Sequence, residues 1–239
     1  MKFVIRIAMV VICCGTAGKA FAGEIAAELS AAQLSDLKQG QLIFITKDIP
    51  ESPWPKVRAY RLIHASPEEV TAVFFNYQNS PQFIPNVKTA HISKQNSANE
   101  AEIDYALHVP LMSDEHYRTR NTVSVNPQGM YRVDWTLLKA MRTKSSVGHM
   151  RVEPFESNAL MSYCSTTIPG SSIAFLLKKP AMGQVKDTVE AIAKQVEKEK
   201  NTQPQALAKE VILLRAALPS QEADPKPSAS DTPVSTPSP

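Results

Sequence analysis

The sequence predicts an α+β domain: one curved antiparallel sheet of about seven strands, its apolar face covered by a long C-terminal helix. Three observations carry this. Between residues 85 and 167, apolar side chains recur at every second position in short runs separated by turn residues. Across residues 185–196 the period lengthens to that of a helix. A lone antiparallel sheet has to bury its apolar face, and this helix is the only predicted element long enough to do so.

In chain order, residues 41–46 form a short strand and residues 56–64 the first full strand. Ser66-Pro67-Glu68-Glu69 opens a helix. Serine caps it, proline fits the first turn, and the acids favour the positive end of the helix dipole. Val70, Val73 and Phe74 are its apolar stripe. Asn79-Ser80-Pro81 breaks it, and a second short helix or turn around residues 82–84 ends at Pro85.

Strands follow over residues 87–94, 102–109, 117–125, 131–137, 146–152 and 160–167. Ile103, Tyr105, Leu107 and Val109 alternate with Glu102, Asp104 and His108. Tyr131, Val133, Trp135 and Leu137 alternate with Arg132, Asp134 and Thr136. Turn residues at 97–99, 126–129 and 156–158 separate the runs, which suits an antiparallel meander with one covered face. In the closing helix Val185, Val189, Ile192, Ala193 and Val196 oppose Lys186, Glu190, Lys194 and Lys198; its start lies as early as Ser171, with a break near Pro180.

The ends differ in kind. Residues 1–22 carry Lys2 and Arg6, an apolar stretch, and Ala20-Phe21-Ala22, a pattern of signal peptides cleaved after Ala22. The apolar run is shorter than the ~20 residues that span a bilayer. Cys13 and Cys14 leave with it, so the mature chain keeps one thiol, Cys164, and no internal disulfide. Residues 23–39 lead into the domain at 40–200. Residues 201–218 hold an amphipathic helix with Leu207, Val211, Leu214 and Leu218 on one stripe, read first as packing on its own domain and second as a docking element. Residues 219–239 contain six prolines and five serines and are expected to be disordered.

Composition narrows the function. The chain carries +3, from 26 Lys and Arg against 23 Asp and Glu. Lys2, Arg6 and Lys19 lie in the export segment, and removing these three leaves 23 against 23. A nucleic-acid partner is not expected of a neutral chain, and no transmembrane segment is expected in the mature one.

The element order is that of the helix-grip fold, and the sequence resembles the SRPBCC superfamily of START-type lipid-binding domains and polyketide cyclase-like proteins. Ala65-Ser66-Pro67-Glu68-Glu69-Val70, continuing through Asn76-Tyr77-Gln78 to Phe83-Ile84-Pro85-Asn86-Val87, is similar to the family's opening strand, helix pair and Phe-x-Pro turn. Glu115-His116-Tyr117 is similar to the Arg-Asp-Tyr of bacterial START-like members, with Glu and His replacing Arg and Asp. Gly148-His149-Met150-Arg151-Val152-Glu153-Pro154, with Ser162-Tyr163 and Ile168-Pro169-Gly170 after it, resembles a Gly-x-Trp-x-x-x-Pro strand in which Met150 replaces the aromatic residue. The resemblance spans about residues 40–200. It implies a cavity between sheet and helix in which the superfamily holds lipids, sterols, quinones or polyketides.

The chemistry of the residues is sparse. His64, His91, His108, His116 and His149 sit on different elements without metal-ligand spacing, and no phosphate-binding or dinucleotide motif occurs, so no metal or cofactor is expected. No catalytic residue is assigned. Asp114-Glu115-His116 is a polar cluster at a strand start, read first as a solvated turn. Cys164 is read as a packed strand residue. Tyr105, Leu107, Tyr117, Tyr131, Val133 and Trp135 are expected to share the concave face as ligand-binding residues, with Phe83 and Phe175 closing the cavity ends. Arg118 and Arg120 have the opposite parity to Tyr117 and turn inward only if a bulge shifts the register.

The expected function is therefore a periplasmic or secreted binder or carrier of a hydrophobic, lipid-like small molecule. Two alternatives are a cyclase- or hydrolase-type enzyme using His116 or His149, and a cell-envelope interaction module docking a protein through residues 205–218.

Overall fold

The computed structural model describes residues 23–218 apart from Glu51, Leu111 and Ser172. The expected export segment, residues 1–22, and the Pro/Ser-rich tail, residues 219–239, lie outside the described residues.

Helix α1 (Ala31–Lys38) precedes strands β1 (Ile43–Lys47) and β2 (Lys56–Ile63). Helix α2 (Pro67–Phe75) and a 3-10 turn (Tyr77–Gln82) follow. A meander of β3 (Val87–Ser97), β4 (Glu100–Leu107), β5 (Glu115–Val125), β6 (Tyr131–Ala140), β7 (Thr143–Phe155) and β8 (Asn158–Pro169) comes next. Helices α3 (Lys178–Thr202) and α4 (Pro204–Ala217) close the chain. The eight strands form one antiparallel sheet in the order β1-β2-β8-β7-β6-β5-β4-β3. The sheet thus has eight strands, the short β1 forming its edge beside β2.

Local chemistry explains the breaks. Ser66 accepts from the Glu69 amide, and the Glu69 carboxylate accepts from the Ser66 amide, a reciprocal cap on α2. Helix α3 starts at Lys178 rather than near Ser171, and Pro180 falls in its first turn, where the missing N–H has no intrahelical acceptor to lose. The β5–β6 turn is built by Asn126, whose Oδ1 accepts from the amides of Gln128 and Met130, and by Gly129 at a φ of 79°.

The connection from β2 through α2 to β3 crosses the whole sheet, because β2 and β3 are on opposite sides of the strand order. It lays α2 over the concave face beside α3. Val70 and Val73 of α2 and Val189, Ile192 and Val196 of α3 pack with Ile103, Val123, Val133 and Met150 of the sheet. Arg61 of β2 pairs with Glu190 of α3 at 3.1 Å. Helix α4 buries Leu207 and Leu214 in this same cluster. Its apolar stripe is consumed by its own domain.

A second cluster covers the convex face at one end of the sheet. Ile25, Leu29 and Leu37 pack on Tyr60, Leu62 and Leu160. The buried Glu153 accepts the Ile25 and Ala26 amides at 2.9 Å each, and Glu28 accepts from Arg151 at 2.6 Å and from the Tyr60 hydroxyl at 2.7 Å. The lead-in segment is therefore a strap held by the buried Glu153 carboxylate and by the ion pairs of Glu28. Cys164 is free and buried in β8.

Candidate functional site

Between the concave face and α3 lies a cavity of about 360 Å³. This falls within the range of about 300–1,000 Å³ typical of small-molecule sites. Strands β4 and β5 contribute Tyr105 and Tyr117, which sit opposite each other in register and stack at 5.1 Å between ring centroids. Strands β6 and β8 contribute Trp135 and Tyr163, with centroids 5.0 Å apart. Gly148 of β7 makes room for the indole: a Cβ there would lie 2.3 Å from Trp135 and 2.4 Å from the Cys164 carbonyl oxygen. Phe74 and Tyr77 border the covered end. The loops around residues 108–112 and 169–177, together with Trp54, border the other. The Trp54 indole N–H donates to the Ala174 carbonyl at 2.7 Å, which fixes the second loop against the start of β2.

Of the expected residues, Phe83, Tyr105, Leu107, Tyr117 and Trp135 line this cavity. Tyr131 and Val133 share their face but lie outside the lining. Val133 is fully buried in the core, and Tyr131 donates to Glu68 of α2 at 3.1 Å. Phe175 also lies outside it and is 64% exposed. The tight turns of residues 173–177 point its ring away from the sheet. Sequence reasoning missed Tyr77, Thr119, Asn121, Tyr163 and the Glu115–Arg142 pair. The parity of β5 held the signal, because Thr119 and Asn121 share the face of Tyr117.

The candidate acid-base residues are placed elsewhere. His116 is exposed on the convex face, and His149 lies across the strand from Asp134 on that face. Burial, then the nearby Arg132 and Arg151, pull the His149 pKa down to about 4. Among the histidines, His108 alone lines the cavity, 3.5 Å from Asp114. Arg118 forks onto Asp104 with bonds of 2.7 and 2.6 Å, and Arg120 reaches Glu102 at 3.4 Å. The one register shift between β5 and β6 falls opposite Arg118 and Thr119 and leaves both arginines outward.

The charged pair in the lining is matched in charge, although Glu115 Oε2 itself makes no hydrogen bond to a described residue. Glu115, 6% exposed, meets Arg142 Nε at 3.2 Å and accepts from the Arg142 amide at 2.8 Å. The Arg142 guanidinium also donates to the Ser113 and Asp114 carbonyls. The pair therefore ties the β4–β5 loop to the β6–β7 turn. Burial pushes the hydroxyls of Tyr77, Tyr105, Tyr117 and Tyr163 well above their ordinary pKa, so all four stay neutral donors. No cluster of metal-ligating side chains occurs among the described residues, and no described helix is long and apolar enough to cross a membrane.

No protein-family model matches the chain, and no curated protein is significantly similar to it. Solved structures are. A STAR-related lipid transfer protein from Xanthomonas axonopodis superposes with a TM-score of 0.59 at 15% identity, over 65% of this chain and 93% of that one. Human STARD10 gives 0.60 at 12% identity, over 73% and 77% of the two chains. Human StAR-related lipid transfer protein 5 gives 0.56 at 13% identity, over 73% and 97%. At such identities the likeness shows the fold: the chain has the START-like helix-grip architecture.

Proposed function

We propose that the protein binds and carries a hydrophobic, lipid-like small molecule in the cavity between sheet and α3, without catalysing a reaction. The observation that carries this reading is the cavity itself. Its walls are stacked aromatic rings, and its one ion pair is spent on holding two loops. Aromatic rings with polar tips suit an amphipathic ligand. Two of the structurally similar proteins are named as lipid transfer proteins, and their shared fold supports the reading.

The alternative enzyme loses its proposed residues, because His116 and His149 lie on the opposite face of the sheet from the cavity. The docking alternative retains only Ile212 and Leu213 as large exposed apolar residues of α4, since Leu207 and Leu214 are buried. The export reading rests on residues 1–22, and the buried lone thiol of Cys164 suits an oxidising compartment. On this reading the carrier works in the periplasm or outside the cell.

The test is to recover the protein from the cell envelope under native conditions and extract it with organic solvent. Mass spectrometry of the extract is expected to show one lipid-like class at near-equimolar amount. Replacing Leu107 by Trp should fill the cavity and abolish that co-purification while leaving the circular dichroism unchanged. An empty wild-type extract, with no uptake of added lipids, would overturn the reading.

A further inference from the structure

The covered end of the cavity contains polar atoms that the protein itself leaves unused. Tyr77 is 4% exposed, and its hydroxyl is buried with no hydrogen-bond partner among the described residues. Asn121 is also 4% exposed. Its Oδ1 accepts from the Thr119 hydroxyl at 2.7 Å, which turns the Nδ2 end of the amide the other way. Beyond weak contacts with the Tyr77 and Tyr105 hydroxyls, Nδ2 has no hydrogen-bond partner among the described residues. The Asn121 amide neighbours both the Tyr77 and the Tyr105 hydroxyls, and all four residues line the cavity. An unused buried donor costs about 1–3 kcal/mol, so a set of them in one place calls for an acceptor.

The chemistry of that acceptor follows from what surrounds it. The unused groups are mainly donors: an amide N–H₂ and phenolic O–H groups. The lining's ion pair is Glu115 with Arg142, and Glu115 is six residues away along β5, about 20 Å at ~3.4 Å per residue. A carboxylate or phosphate at the covered end would lie buried without a cation, which is strongly unfavourable. A neutral carbonyl oxygen has two lone pairs, carries no charge and matches two convergent donors.

We propose that Asn121 and Tyr77 form a subsite for an uncharged carbonyl group, a ketone, ester or amide, at the leading end of an otherwise apolar ligand. The inference rests on the reading of the cavity as a binding site for a hydrophobic molecule, and adds which end enters first and what it carries. The aromatic walls hold the apolar body, and the Asn121 amide donates to the carbonyl with the Tyr77 hydroxyl beside it. Sites built to hydrogen-bond one polar group discriminate against analogues lacking it, because their own donors are then left unpaired.

The experiment uses the full mature chain and three probes of matched length: undecane, 2-undecanone and undecanoate at pH 8. Equilibrium partitioning into protein solution is read by gas chromatography. The ketone is expected to bind at least tenfold more tightly than either of the others. Asn121→Leu should abolish that preference, and Tyr77→Phe, which keeps the shape of the core, should reduce it severalfold. Equal binding of ketone and alkane would assign these atoms to a buried water and overturn the subsite while leaving the carrier reading intact. A preference for undecanoate would overturn it in favour of an anionic head group. A preference that survives when Asn121→Leu and Tyr77→Phe are combined would also overturn it. Failure of all three probes to bind would sink the carrier reading and the subsite together.

Discussion

The carboxyl groups of Glu199 on α3 and Glu210 on α4 are neighbours at the junction of the two helices. Each has a buried oxygen without a hydrogen-bond partner. Asn76 and Gln195 satisfy the other two oxygens, at 2.8 and 2.6 Å. Burial, and then the Glu199 charge, raise the Glu210 pKa above its ordinary 4.5. One proton held between the pair would satisfy both orphan oxygens. A raised folded-state pKa gives stability that is complete below the ordinary value and fades as pH climbs through the raised one. Glu210→Gln keeps the acceptor for Asn76 and supplies a permanent donor to Glu199. It is expected to stabilise the protein by about 1 kcal/mol at neutral pH, a rise of roughly 2–4 °C in Tm. A melting temperature unchanged at pH 7 would show that water reaches this junction.

His149 sets the opposite slope on the acid side. Its pKa falls from 6.5 to about 4 on folding, so between those values the unfolded chain binds more protons than the folded one. The unfolding free energy should therefore decrease as pH drops through this window. His149→Asn should flatten the decrease without changing stability above pH 7. Urea titrations at pH 7 and pH 5 on both proteins make the comparison, with equal slopes counting against the assignment.

Arg142 and Glu115 hold two loops together at the edge of the cavity. Arg142→Met leaves the nearly buried Glu115 carboxylate unpaired and is expected to cost about 3 kcal/mol. Adding Glu115→Gln removes the stranded charge and should recover most of that loss. Thermal denaturation of the two singles and the double gives the coupling directly. Additive losses would mean that the pair is solvated and holds nothing.

Gly148→Ala places a methyl group against both the Trp135 ring and the Cys164 carbonyl. The ring can move, but the neighbouring backbone yields less. A cost of about 1–3 kcal/mol is expected, as for overpacked cores. Trp135 emission should shift to the red as the indole is displaced, visible in a Trp54→Phe background. An unshifted spectrum would mean that the sheet, not the ring, absorbs the strain.

The architecture was legible because period and turn chemistry agree along most of the chain. The Ser66 cap, the Asn126–Gly129 turn and the strict alternation of β4 and β6 each give one reading only. The resemblance supplied the helix-grip order of elements, and the solved structures share that fold. Site residues were harder to read. Tyr131, Val133 and Trp135 have identical parity, yet α2 covers the first two and leaves Trp135 facing the cavity, and only the tertiary packing of α2 decides that. Phe175 is large and apolar, which predicts burial, but the turns before α3 expose it. Arg142 gives no sign of its role because its partners, Ser113, Asp114 and Glu115, come from the β4–β5 loop and the start of β5, far from it in sequence. Asn121 was readable in principle, since a polar residue at an inward position of a strand needs a reason.

The strap across the convex face divides the strands into two mechanical halves. Tyr60 and Leu160, beneath it, are 1% and 0% exposed, whereas Val147 and Leu138, toward the β6–β7 turn, are 48% and 40% exposed. One end of the sheet is thus clamped between layers on both sides, and the other is covered only on its concave side. Local opening free energy follows such differences in burial. Amide hydrogens of β2 and β8 near Leu62 and Leu160 should exchange with solvent deuterium at rates close to global unfolding. Those of β7 near Thr143 and of β8 near Thr167 should exchange far faster. The softer half is the one beside the cavity loops, so the molecule can breathe where a guest would pass while its far end stays locked.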